Sequence, residues 1–142
     1  MMLIQATAVA IAGRALIIEG PPGSGKSSLA LALIDRGASL IGDDGVTLAL
    51  AGEQVLAGPP PNTEGLLEIR GVGIVTLAVS TGVPVALILA LVGEGHAERL
   101  PGPLVGRELL GLPIPVLPFA PGSTAPAARA EWALRTHGLP LP

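Results

Sequence analysis

Gly20-Pro21-Pro22-Gly23-Ser24-Gly25-Lys26-Ser27 fills every fixed position of G-x-x-x-x-G-K-[ST], the phosphate-binding loop. Its context decides the fold. The apolar run Ala15-Leu16-Ile17-Ile18 ahead of it reads as a buried strand, and Ser28-Leu29-Ala30-Leu31-Ala32-Leu33-Ile34 behind it favours a helix. Strand, glycine-rich turn and helix together are what the motif needs. Glycines let successive N–H groups converge on one centre, and the helix N-terminus adds partial positive charge. Lys26 is placed to reach the β/γ-phosphates of a nucleotide and Ser27 to ligate Mg²⁺. Lys26 is also the only lysine, the other seven basic residues being arginines. A compact ammonium suits this position better than a planar guanidinium.

Working outward, 142 residues make one domain, spanning 1–142, with an adequate core and no room for a second. The net charge of −3 and scattered arginines argue against nucleic acid. Phe119 and Trp132 are the only aromatic residues, which argues against base-stacking platforms. Without cysteine there are no disulfides or thiolate metal sites, which merely permits a reducing cytosol; the location expected for the chain is cytoplasmic. The stretch from Gly71 to Gly93 is uncharged and long enough to span a bilayer. Ser80-Thr81-Gly82-Val83-Pro84 interrupts it where a turn belongs, so Ile74–Val79 and Val85–Val92 read as two buried strands and no membrane insertion is expected.

Ala6 to Ala12 reads as a strand, turned at Gly13-Arg14 into an antiparallel hairpin with the strand before the loop. A first helix from Lys26 to Arg36 stops at Gly37. The chain returns as Ala38-Ser39-Leu40-Ile41, expected beside the phosphate-loop strand, and ends at Gly42-Asp43-Asp44. Ligands of α/β sheets gather at such strand ends, so both aspartates are expected to face the phosphates. Asp-Asp-Gly is also good chemistry for a plain solvated turn. Val46–Leu50 and Gln54–Ala57 form a further expected hairpin. In Leu66-Leu67-Glu68-Ile69-Arg70, strand alternation puts Glu68 and Arg70 on one face. Pattern alone makes these a solvent-facing ion pair. Gly106–Leu112 reads as a short turn, Leu117–Thr124 as a proline-rich loop, and Pro126–Thr136 as a closing helix capped by Thr124. His96 and His137 have no partner at metal-ligand spacing.

Taken together, the loop with Lys26-Ser27-Ser28-Leu29-Ala30-Leu31, Arg36-Gly37, Asp43-Asp44 and Leu67-Glu68-Ile69-Arg70-Gly71-Val72-Gly73-Ile74 resembles the bacterial HPr kinase/phosphorylase family. The last block is similar to the family's L-E-I-R-G-[LV]-G-I, and the likeness is to the catalytic domain alone, in the short form without an N-terminal domain. It implies an α/β fold of the HPr-kinase/PEP-carboxykinase type, a single P-loop domain with a mixed β-sheet. The loop helix is expected on one side of that sheet and the closing helix elsewhere. The resemblance also implies Mg-dependent transfer from ATP to a serine of an HPr-type phosphocarrier protein, and a homo-oligomer. Nucleotide binding falls to Gly20, Pro21, Pro22, Gly23, Ser24, Gly25, Lys26, Ser27 and Ser28. Ser27 and Glu68 would hold Mg²⁺. Asp44, with Asp43 beside it, aligns with the base that takes the serine proton, and Arg99 aligns with a catalytic arginine.

Three positions depart from the family pattern. Gln5 stands where the family has an active-site histidine, and an amide carries no charge and shuttles no proton. In Leu117-Pro118-Phe119-Ala120-Pro121-Gly122-Ser123-Thr124, Ala120 and Ser123 replace two arginines of a segment tied to dephosphorylation. Loss of both guanidinium groups weakens a second phosphate site, so the reverse phosphorylase activity is expected to be lost or poor. The alternative is an ATP-binding regulatory module of the same fold with little phosphotransfer. A generic phosphate-loop kinase or NTPase fits less well, because Asp43-Asp44 follows the loop closely and no basic lid segment appears.

Overall fold

Chain reversal at Ala12 and Gly13 starts the sheet that carries the loop. Both have positive φ, 50° and 82°, the combination of a two-residue type I′ turn whose twist matches its strands. The computed structural model describes residues 1–141. In it β1 (Met2–Ile4) leads into β2 (Thr7–Ile11) and β3 (Arg14–Glu19), which pair antiparallel about that turn. The loop follows β3, and α1 (Lys26–Asp35) follows the loop. Gly37 (φ 111°) closes α1, its N–H donating to Ile34 O and that of Ala38 to Leu33 O. That pair of bonds is the Schellman ending that a glycine makes cheap.

Next come β4 (Ser39–Gly42), β5 (Val46–Ala51), β6 (Gln54–Gly58), β7 (Leu66–Ile69), β8 (Gly73–Thr76), β9 (Val83–Leu91), β10 (Gly106–Leu109), β11 (Leu112–Phe119) and α2 (Pro126–His137). The main sheet runs β1-β5-β6-β9-β3-β2-β4, with β11 also on β9 and β10 on β11. It is mixed: β9 pairs parallel with β3 and β11 and antiparallel with β6. A strand with three partners has both edges occupied, which is why Val83–Leu91 is uncharged and almost wholly buried.

Alternation along these strands divides the core. Leu16, Ile18, Leu87 and Leu89 meet Leu29, Ala30 and Leu33 of α1 and Ala130, Ala133 and Leu134 of α2. Ala15, Ile17 and Ile88 point the other way, toward Val46, Leu48, Val55 and Ile114. Both helices therefore cover one face, and Arg36 of α1 bonds Glu131 of α2 at 2.9 Å. The expectation of the closing helix elsewhere is corrected. The opposite face is closed by the sheet's own further strands.

Other corrections follow from packing. β4 lies beside β2 rather than beside β3. It still runs parallel to β3, so its C-terminal end keeps to the loop's end of the sheet. Ile74–Val79 is not a buried strand. Gly73–Thr76 forms a separate two-stranded ribbon with β7, and Ile74 is 70% exposed. Val79 and Ser80 then bridge to Leu40 at the edge of β4. Gly106–Leu112 is a strand and turn, Leu117–Phe119 completes a strand, and α2 is N-capped by Ala125 (φ 43°) without a side-chain cap from Thr124. No helix among the described residues is long and apolar enough to cross a membrane.

Replacing Leu33, fully buried between α1 and the sheet, by alanine should cost about 2–5 kcal/mol in denaturant unfolding. Ile74→Ser, on the exposed ribbon, should stay within about 0.5 kcal/mol of the parent.

Candidate active site

The loop's shape is set by its glycines. Gly23 and Gly25 hold φ of 80° and 98°, which side-chain-bearing residues rarely adopt. At Gly20 a Cβ would lie 2.6 Å from Ser24 Oγ. The Ser24 N–H closes a turn on Pro21 O at 3.1 Å, and Leu29 N–H on Gly25 O starts α1 at 2.9 Å. The Lys26 ammonium lies over the loop, donating to Gly20 O at 2.8 Å and Pro21 O at 3.2 Å. Ser24 Oγ is buried and has no partner among the described residues.

The aspartates separate in role. Asp43 Oδ1 accepts hydrogen bonds from Ser27 Oγ at 2.7 Å and from Thr7 Oγ1 at 3.0 Å. Asp44, in the left-handed region at φ 57°, is exposed and lines the cleft above the loop. The turn that parts them is tight, since a Cβ on Gly42 would overlap the Gly45 carbonyl oxygen.

That cleft holds about 920 Å³. One wall is the loop, with Gly20, Pro22, Gly23, Gly25, Lys26, Ser27 and Ser28; the other is the β7–β8 ribbon, with Glu68, Arg70, Val72 and Ile74. Gln5 and Asp44 complete the lining. Glu68 and Arg70 thus share a face, as alternation requires, yet form no ion pair with each other among the described residues. Pro21 and Ser24 belong to the loop but line a smaller hollow of about 360 Å³ on its far side, with Ala120 and Glu94. Arg99 lies exposed in the segment 92–105 and is not part of the cleft lining.

Two residues escaped the sequence reading. Thr7 looks like one more residue of an apolar strand, and only the return of the chain to Asp43 gives its hydroxyl a task. Arg70, by pattern a surface partner of Glu68, instead lines the cleft. A third contact stiffens the approach to the loop: Arg107 donates twice, at 2.6 Å each, to Glu19, the residue before Gly20. Those bonds raise the Arg107 guanidinium above its ordinary pKa.

The model of HPr serine kinase C-terminal domains matches residues 2–87, more than half the chain. The protein belongs to this family. Among its relatives, HPr kinase/phosphorylase of Ralstonia nicotianae is 39% identical over 114 residues, covering 73% of this chain and 35% of the relative. That of Bordetella pertussis is 36% identical over 115 residues, covering 73% and 37%. The chain thus spans about a third of the length of the curated relatives it matches. A solved HPr(Ser) kinase/phosphatase from Coxiella burnetii superposes with a TM-score of 0.84 at 29% identity, covering 96% of both chains. The mixed, curled α/β sheet is thus the family's fold, and the matched segment carries the loop, both aspartates and Glu68.

The donor set fits a magnesium–nucleotide. No three His, Asp or Glu side chains cluster into a cation cage among the described residues. Mg²⁺ does not ask for one: it keeps waters and takes one or two protein oxygens beside nucleotide phosphates. Ser27 and Glu68 on the cleft walls, with Asp43 behind Ser27, are of that kind.

Gly42→Ala should destabilise the fold by about 1–3 kcal/mol, the usual cost of overpacking, read from chemical denaturation.

Proposed function

We propose that this domain transfers the γ-phosphate of ATP, with Mg²⁺, to a serine of an HPr-type phosphocarrier protein. The observation that carries the reading is that Asp44 lines the same cleft as Lys26, Ser27 and Glu68. A carboxylate facing a phosphate cradle is what a serine acceptor needs. Its hydroxyl is a weak nucleophile, and a base within about 3 Å takes the proton as the new bond forms.

In this reading the loop amides and Lys26 bind and orient the triphosphate. The serine oxygen attacks the γ-phosphorus, the bond to the β-phosphate oxygen breaks, and the proton passes to a carboxylate oxygen of Asp44. ADP leaves with the charge of the broken bond. Mg²⁺, when bound, supplies neutralising charge on the phosphate oxygens. Ser27 and Glu68 would hold it. Arg70, already in the cleft, adds a guanidinium for the transferring group. Arg99, which resemblance makes catalytic, would have to move inward from segment 92–105 to join it.

Gln5 in the cleft lining favours a second reading, an ATP-binding regulatory module with little transfer. The replaced arginines bear on the reverse reaction. Arg129 donates to Ala120 O and Pro121 O, both at 2.9 Å, and lies 4.8 Å from the centre of the Phe119 ring. The Arg129 guanidinium is thus occupied with the backbone of that segment. Phosphorolysis of phosphoserine is accordingly assigned as poor or absent. The homo-oligomer and the cytoplasmic location belong to the same proposal.

Labelled ATP offered with an HPr-type acceptor should label serine. Nucleotide binding without labelling would instead select the regulatory reading. Asp44→Asn should keep nucleotide affinity while transfer falls by roughly two to four decades; transfer at parental rate in that variant would remove Asp44 as the base.

A further inference from the structure

Thr7 is the fully buried polar side chain of this fold, 0% exposed, and no other polar or charged residue among those described is buried. It opens β2 opposite Ile18 of β3, two residues ahead of Gly20. A valine of the same shape would fill that place with no polar atom to satisfy. The hydroxyl is instead spent on the turn after β4. It donates to Asp43 Oδ1 at 3.0 Å, and the Asp44 N–H points at Thr7 Oγ1 from 3.5 Å. Asp43 Oδ1 is the same oxygen that accepts from Ser27 at 2.7 Å.

The directions of these bonds matter. An ionised carboxylate only accepts, so both hydroxyl protons point at Asp43. The Ser27 proton is thereby turned inward, leaving lone pairs of its oxygen for a cation in the cleft. A hydroxyl can ligate a metal only in that orientation. Thr7 does not itself line the cleft. It acts through Asp43, and Asp43 through Ser27. The register of β2 against β4 makes the contact possible: it shifts between Ala8 and Val9, just beyond Thr7, and the tight Gly42–Gly45 turn then brings Asp43 back over β2.

We propose that Thr7 is a positioning residue for the divalent cation: its buried hydroxyl locks Asp43, and so orients the Ser27 hydroxyl. This rests on the magnesium–nucleotide reading of the cleft. Outer partners of this kind typically alter metal affinity 10- to 100-fold.

The test titrates the whole chain with a fluorescent ATP analogue, in Mg²⁺ and in excess EDTA, for the parent, Thr7→Val and Thr7→Ser. The gain in affinity on adding Mg²⁺ should fall about tenfold or more in Thr7→Val and return in Thr7→Ser, which keeps the hydroxyl. Affinity in EDTA should be little changed. Thr7→Ala removes the hydroxyl without adding volume and gives the same comparison should the valine disturb folding. An undiminished Mg²⁺ gain in both hydroxyl-free variants overturns the role of Thr7 and leaves the cation site standing. A parent that gains nothing from Mg²⁺ overturns the cation site and Thr7 together.

Discussion

One carboxylate oxygen ties three distant parts of this chain into a site. Asp43 Oδ1 takes hydrogen bonds from Thr7 at the start of β2 and from Ser27 in the first turn of α1. Asp43 itself stands at the end of β4. Hydrogen bonds to a charged group are stronger than neutral ones, at about 1.5–3 kcal/mol each. Their larger effect is geometric. They hold the end of β4 against the helix that follows the loop, so Asp44, next in the chain, is left facing the cleft.

The sheet makes that arrangement possible. β3 and β9 run parallel and buried at its centre, and their side chains feed a core on each face. Burial of side chains such as Leu16, Ile18, Leu87 and Leu89 stabilises the fold by about 1.5–3 kcal/mol each. With β3 held on both edges, the loop leaves the sheet from a rigid strand end, and Arg107 grips Glu19 just before it. On the nucleotide reading proposed above, that rigidity would leave little reordering to be made on binding.

The two walls of the cleft are unlike. The loop wall belongs to the packed body, while the opposite wall is a two-stranded ribbon anchored mainly by buried Leu67. Val72 and Ile74 on it are 73% and 70% exposed, which as core residues would be a packing fault. As cleft lining they give an apolar surface beside a polar cradle, the mixture typical of small-molecule sites. A two-stranded ribbon is only marginally stable alone, so this wall is the part of the site with most freedom to adjust.

Local pattern was enough for much of this protein. The phosphate loop, the flanking strand and helix, the first hairpin, the β5–β6 hairpin and the glycine stop of α1 are all legible because each depends on neighbouring residues: a turn's φ values, a helix's propensities, a strand's alternation. The block from Leu67 to Ile74, with the loop and the aspartate pair, likewise made the family readable. What could not be read locally was decided by pairing across the sheet. Ile74–Val79 and Val83–Leu91 are equally apolar, yet the first lies on an exposed ribbon and the second at the centre, because burial depends on which strands arrive beside them. The same holds for Thr7, whose hydroxyl has no purpose until the chain returns to Asp43. It holds for the shared face of the two helices and for Arg70 and Arg99, one brought into the cleft and the other left outside. Sequence determined the pieces and the chemistry they carry; tertiary structure alone chose which meet, since long-range contacts follow from packing the whole sheet at once.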